Sequence, residues 1–217
     1  IKYLSIISME FKKYWRKTSL KNKIDGNFLL KHIEEIKPKN FLEVGIFHGV
    51  TSRNVCEMLY LIHGHNFKFT GIDLFLGKRA PKSEHVPIMT FSNPLKNIYY
   101  NHIIKLDPYS LESVLKLLKK FKENVNIIKA DSNIVLKEIS IIFDYVFLDG
   151  GHEYKTVKND LNNLTKVINT GGLILCDDYN LSYGGVKKAI DEYVTQNSFN
   201  LKIFNSRFAE IKKKDYS

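Results

Sequence analysis

The feature that most constrains this chain is a repeated change of hydrophobic period, in which short apolar runs alternate with segments whose apolar residues recur at helical spacing. Phe28, Leu29, His32, Ile33 and Ile36 mark a helix over 25–36, which Pro38 stops. Strand-like runs follow at 40–45, 68–73, 125–130, 143–148 and 172–176, separated by helical patterns at 51–62, 111–121, 133–139 and 154–168. Such alternation requires a parallel sheet covered on both faces by helices, with right-handed crossovers. The expected fold is therefore α/β, a doubly wound and mostly parallel sheet. The tail departs from the pattern: a helix over 185–195 precedes two strand-like segments, 201–205 and 207–212, read as a hairpin that adds an antiparallel C-terminal edge strand. Between 74 and 110, Pro81, Pro87, Pro94 and Pro108 interrupt any period, and the segment reads as an insertion over the active site. Residues 1–24 are expected as a helical extension of a single domain over 1–217.

Length and charge narrow the function classes. A chain of 217 residues suits one hydrophobic core. Its 33 Lys and Arg against 23 Asp and Glu give a net charge of +10, which favours an anionic partner. The lysines are scattered, and no RNA-binding signature with interleaved aromatics accompanies them, so nucleic acid is not the favoured partner. No run approaches the ~20 apolar residues of a membrane span. The first residues, Ile1 to Ile7, are too short an apolar run for a signal peptide. Cys56 and Cys176 each sit in an apolar segment, which points to a reducing cytoplasm rather than a disulfide framework. The aromatics Tyr3, Phe11, Tyr14 and Trp15 offer a surface for a second copy in a homo-oligomer.

In an open α/β sheet, ligands bind beyond the C-terminal strand ends, and here each strand ends in acids or glycines. The first runs into Glu43-Val-Gly45-Ile-Phe47-His-Gly49-Val-Thr51-Ser52, a glycine turn entering a helix. The second ends at Asp73, the third at Asp131-Ser132, the fourth at Asp149-Gly-Gly-His152 and the fifth at Asp177-Asp178. A carboxylate at position 73 can accept from both hydroxyls of a ribose. Asp131 or Ser132 can equally cap the next helix, and Thr51 or Ser52 the one after the glycine turn. Asp149, Asp177 and Asp178 converge at adjacent strand ends, where three carboxylates repel unless protonated or bound to a cation; oxygen ligands suit Mg²⁺ or another hard divalent ion. His152 can accept a proton from a substrate hydroxyl. The glycine spacing lacks Gly-x-Gly-x-x-Gly, which argues against a nicotinamide dinucleotide and a dehydrogenase. His48, His85 and His102 have no Cys or Glu partners at zinc spacing.

Taken in order, Glu-Val-Gly-x-x-x-Gly-x-Thr-Ser, Gly-Ile-Asp, Ala-Asp-Ser, Asp-Gly-Gly-His-x-Tyr and Gly-Gly-x-x-x-x-Asp-Asp resemble the class I S-adenosylmethionine-dependent methyltransferases. Within them the chain is most similar to methyltransferase family 24, the branch of macrocin-type O-methyltransferases related to cephalosporin hydroxylase-like proteins. The resemblance implies a Rossmann-like fold and S-adenosylmethionine as cofactor. Glu43, Gly45 and Gly49, with Phe47, Thr51 and Ser52 beside them, would shape the methionine pocket; Asp73 would hold the ribose, and Asp131 with Ser132 the adenine edge. Asp149 would serve both cofactor and chemistry, with Asp149, Asp177 and Asp178 as the metal set and His152 with Asp149 as the catalytic pair. The implied reaction is methyl transfer to a small-molecule or sugar hydroxyl. An RNA methyltransferase, a cofactor-binding protein without methyl transfer and a hydroxylase-like relative are the competing readings.

Overall fold

The computed structural model describes residues 9–76, 93–104, 107–180 and 184–212. In β1 (Asn40–Val44) every residue after Asn40 is buried, and in β2 (Lys68–Asp73) every residue after Lys68. Burial on both faces is why these strands are continuous apolar runs rather than alternating ones. β3 (Val125–Lys129), β4 (Phe143–Leu148) and β5 (Ile168–Cys176) run parallel to them, while β6 (Asn200–Phe204) and β7 (Phe208–Lys212) form an antiparallel pair in which β7 runs antiparallel to β5. Among the described residues the sheet has the order β3-β2-β1-β4-β5-β7-β6. Val44 stands opposite Ile72 and Leu148, and Leu148 opposite Cys176, so four strands end at one level. The order reverses between β1 and β4, where a doubly wound sheet leaves a crevice.

Alternate strand residues feed two cores. Phe41, Phe69, Tyr145 and Phe147 face α1 (Lys23–Ile36), α2 (Val50–His63) and α4 (Leu111–Leu117); Leu42, Val44, Val146 and Ile174 face α5 (Ser132–Glu138), α6 (Tyr154–Val167) and α7 (Gly184–Asn197). α3 (Pro94–Ile98) is a short piece with no buried residue. α1 starts where the Asn22 side chain accepts from the Asp25 N–H at 2.7 Å, and it stops at Lys37, left-handed at φ 54° and followed by Pro38.

Two expectations change, and the expected hairpin is present. The helix expected over 111–121 ends at Leu117 and tightens into a separate turn at Lys119–Phe121. Both tail strands join the sheet, with β7 beside β5 and β6 outside it. Asn205 and Ser206, with φ of 53° and 52°, make the left-handed turn of the three-residue connection from Phe204 to Phe208, in which the Arg207 N–H donates to Phe204 O at 2.9 Å. Residues 9–22 form no helix but an extended arm, because their polar groups are taken up by side chains elsewhere. The N–H of Phe11 donates to Asn27 Oδ1, and Lys12 exchanges hydrogen bonds with the Asn54 amide at 2.9 and 2.8 Å. Phe11 is buried in this chain's own core and Tyr14 half-buried, while Trp15 stays exposed. Of the expected insertion, residues 77–92 and 105–106 lie outside the described residues, as do Tyr3 and His85. No described helix is long and apolar enough to cross a membrane.

Candidate active site

The turn after β1 is built by a close approach. Gly45, at φ 94°, donates its N–H to Ile72 O at 2.9 Å, and a Cβ there would fall 1.9 Å from the Asp149 carbonyl oxygen. Only glycine lets the ends of β1 and β4 meet in this way. The chain then turns through Phe47, also left-handed at φ 53°, and this strain is held by Asp73. Asp73 Oδ2 accepts from the N–H groups of Ile46 and Phe47 at 2.8 and 2.9 Å; Oδ1 accepts from the Phe75 N–H at 2.7 Å and the Tyr109 hydroxyl at 2.9 Å. All four acceptor positions of the carboxylate are filled. Three are held by backbone N–H groups and the fourth by a side chain, the Tyr109 hydroxyl.

A cavity of about 990 Å³ opens beyond these strand ends, lined by Gly45, Phe47, Asp73, Tyr109, Asp131, Ser132, Asp149, His152, Asp160, Asp178 and Arg207, and closed on one side by residues of the arm. Asp131 caps α5, accepting from the Asn133 N–H at 2.9 Å, and the Ser132 hydroxyl donates to Asp160 at 2.6 Å. The helix-capping reading therefore holds at Asp131, and both residues line the cavity.

Asp149, Asp177 and Asp178 each present an oxygen within 4.8 Å of the others. Their first counter-charge is Arg207, at the end of the hairpin turn. Its guanidinium forks onto Asp177, with Nε at 2.5 Å from Oδ1 and Nη2 at 2.7 Å from Oδ2, while Nη1 reaches Asp25 at 3.1 Å. The Ser19 hydroxyl donates to Asp149 Oδ2 at 2.6 Å, and His152 Nε2 lies 2.9 Å from Asp178 Oδ2. Withdrawal from water and the charges of Asp177 and Asp178 push the Asp149 carboxyl well above its ordinary range; burial, opposed by Arg207, pushes Asp177 up to about 6. Three clustered carboxyl groups against one guanidinium, which is shared with Asp25, make an all-oxygen set of the kind that suits a hard divalent cation. Asp178 sits at φ 62°, a conformation that Asp tolerates, and this turns its carboxylate towards the others.

Four expected site residues stand elsewhere. Glu43 points beneath the sheet, fully buried, and burial pushes it up to about 8 despite the nearby Ser52 hydroxyl. Its two oxygens and Ser52 Oγ have no hydrogen-bond partner of good geometry. Gly49, Thr51 and Ser52 lie off the cavity wall because α2 begins at Val50, capped by the left-handed Gly49 backbone rather than by a hydroxyl, and both side chains turn inward. His48 is buried too, and its Nδ1 accepts from the Lys17 N–H at 3.3 Å. Burial and the charges of Arg16 and Lys17 lower it to about 3, so it is a neutral structural histidine. Tyr109, which the sequence offered as part of an aromatic lid, does line the cavity, whereas sequence reasoning missed Asp160, Arg207 and the arm. None follows a parallel strand directly, although the six bases and no acid of residues 11–24 were a visible signal.

The strand order, the glycine turn and the strand-end acids meet a direct comparison. The model of methyltransferase family 24, described as a methyltransferase domain, matches residues 42–179, more than half of the chain. The chain belongs to methyltransferase family 24. Its fold is shared by distant solved methyltransferases. It is similar to an S-adenosylhomocysteine-bound methyltransferase of Podospora anserina, PaMTH1, at TM-score 0.61 and 14% identity over 89% of this chain and 80% of that one. The O-methyltransferase NovP matches with TM-score 0.61 and 16% identity over 88% and 78%. CalS11, a TDP-rhamnose 3′-O-methyltransferase, matches with TM-score 0.61 and 13% identity over 90% and 82%. A curated relative, an uncharacterized protein of Acanthamoeba polyphaga mimivirus, is 34% identical over 97 residues, 39% of this chain and 44% of that protein. The family 24 chain thus spans less than half the length of that relative.

Proposed function

We propose that this methyltransferase moves a methyl group onto a hydroxyl oxygen of a small molecule or sugar, assisted by a divalent cation. The observation that carries the reading is that the acid set and His152 open onto the same cavity as Gly45, Asp73 and Asp131. The O-methyltransferase titles of NovP and CalS11 support the oxygen acceptor. When bound, S-adenosylmethionine supplies an electrophilic methyl group and a cation on Asp149, Asp177 and Asp178 eases loss of the hydroxyl proton.

The chain's own residues do the rest. Asp73 and the glycine turn hold the cofactor's ribose side, with Tyr109 yielding its place on the carboxylate. Asp178, bonded to His152 Nε2, fixes the tautomer and makes Nδ1 the basic nitrogen. Nδ1 takes the acceptor proton as the C–O bond forms and the C–S bond breaks, releasing neutral S-adenosylhomocysteine, and Asp178 offsets the imidazolium charge. Alignment of oxygen, methyl and sulfur within one walled cavity removes the entropic cost of meeting.

Calorimetric titration with S-adenosylhomocysteine tests the cofactor half. Wild type binds and Asp73→Ala does not, because the glycine turn and the ribose contact are lost together. Tyr109→Phe binds about two- to tenfold more tightly, the worth of one competing hydrogen bond. A labelled-methyl assay over an acceptor panel tests the chemistry: His152→Ala loses at least ~100-fold in turnover with binding unchanged. Absence of binding to wild type would overturn the reading.

A further inference from the structure

Among the described residues, the four most exposed large apolar side chains, Ile24, Leu95, Ile103 and Trp15, all belong to two short segments, 9–24 and 93–104. Single exposed apolar residues are ordinary, whereas a contiguous group marks a surface that meets something else. The two segments touch. The Trp15 and Tyr99 rings meet edge to face with centroids 6.1 Å apart, and Lys96 Nζ lies 6.0 Å from the Trp15 centroid. Leu95 and Ile98, both exposed and one helical turn apart, precede Tyr99, and the exposed Ile103 follows it by four residues.

Neither segment is placed loosely. The arm buries Phe11, half-buries Tyr14 and then turns: Tyr14 and Trp15 are both left-handed, at φ 47° and 61°, and the Arg16 N–H closes the turn on Lys13 O at 2.8 Å. Left-handed backbone is strained for a bulky aromatic residue. Here it leaves the chain's single tryptophan 60% exposed, while Arg16 is fixed by the His48 and Ser113 carbonyls at 3.0 and 2.9 Å. In the other segment α3 has five residues, none of them buried, and continues as a π-helical turn over Tyr99–Ile104 that buries Tyr100. So short a helix is not stable by itself, and a surface laid against Leu95 and Ile98 would stabilise it.

Charge selects the partner. The two segments hold seven bases and one acid, a net +6 of the chain's +10. A symmetric contact with a second copy would set this charge against itself. RNA is anionic, but Leu95, Ile98 and Ile103 offer it neither a stacking face nor a hydrogen bond. An anionic lipid surface accepts both features, because aliphatic side chains and tryptophan settle at the boundary of headgroups and acyl chains while lysines reach the headgroups. Its attraction acts on the net charge within a Debye length, about 8–10 Å. No base therefore has to be without an acid of its own.

We propose that Trp15, Leu95, Ile98 and Ile103 form a docking patch for an anionic lipid surface, on which the protein sits peripherally. The proposal does not depend on the identity of the methyl acceptor.

Trp15 is the chain's single tryptophan, so its emission reports on the patch without a label. The 217-residue protein is titrated with vesicles of phosphatidylcholine alone, and with about one-third phosphatidylglycerol, following Trp15 emission and co-sedimentation. The expected result is a shift of the emission to shorter wavelength and binding at least about tenfold tighter to the anionic vesicles, both fading in ~0.5 M salt. Leu95→Ser/Ile98→Ser should lose at least about fivefold in affinity, and Leu61→Ser/Ile134→Ser, comparably exposed on α2 and α5, less than about twofold. The wild-type emission needs no substitution, so it decides the proposal whether or not a variant melts early. Anionic vesicles that leave Trp15 emission unchanged, neutral vesicles that bind as tightly, or equal losses in two folded variants overturn the proposal. A dimer in sedimentation equilibrium that Leu95→Ser/Ile98→Ser dissociates overturns it in favour of a second copy. A single-stranded oligoribonucleotide that shifts Trp15 emission at lower concentration than the vesicles overturns it in favour of RNA.

Discussion

Glu43 shows how a residue can belong to a recognisable motif and yet serve another purpose. Its side chain lies one strand residue away from the cavity face, beneath the sheet, so the period of the strand decides its role. With a folded value of about 8 against an ordinary 4.5, it stays protonated in the native chain after the unfolded chain has released its proton. The unfolded state then binds fewer protons, and stability falls as pH rises from about 4.5 to 8. Glu43→Gln removes that titration. Chemical denaturation at pH 5, 7 and 9 should show wild type losing on the order of 2–3 kcal/mol relative to the variant across that range; parallel curves for the two proteins would show that Glu43 does not carry the shift. The same periodicity explains why Asp73, Asp131 and Asp149, at or just past strand ends, were legible as site residues. Arg207 was not, because a hairpin base has no strand end to mark it, and Tyr109 was legible only through the aromatic composition of its segment.

At the scale of elements, the arm is the part that sequence patterning misjudged. Its aromatics and bases have helical spacing, but Asn54 and Asn27 capture the backbone groups a helix would need. The arm enters the core at Phe11, and α1 makes room for it with Gly26: a Cβ on Gly26 would sit 2.4 Å from Phe11 Cγ and 2.7 Å from its Cβ. Two effects oppose each other in Gly26→Ala. Helix propensity gains about 1 kcal/mol, while forcing Phe11 and its backbone aside costs about 1–3 kcal/mol. The clash wins because the ring's near end, not a flexible tip, must move. The variant should melt lower than wild type and be cut by trypsin within residues 12–23 several times faster. A variant more stable than wild type, with the arm still protected, would show that Phe11 does not fix the arm to α1.

At the scale of the whole molecule, the ends of the chain meet at the site. The parallel order could be inferred from alternation, and the acids from strand ends. That residues near 19 and 25 would meet residue 207 could not, since no local pattern records a contact across more than 180 positions. Arg207 ties the Ser19 carbonyl, Asp25 and Asp177 together from the hairpin, so it closes the arm, the first helix and the last strands over the acid set. Arg207→Gln leaves Asp25 and Asp177 buried without their cation and should cost about 3–5 kcal/mol. Arg207→Lys should recover little, because an ammonium cannot fork onto a carboxylate. The substitution also removes the guanidinium beside the acid set, so a cation that binds the folded chain there gains affinity. Millimolar Mg²⁺ should then raise the melting temperature of Arg207→Gln more than that of wild type, since a ligand stabilises in proportion to the logarithm of its saturation. Equal shifts in the two proteins would mean that Asp149, Asp177 and Asp178 do not act as one cation site, and the methyl transfer would then rest on His152 and Asp178.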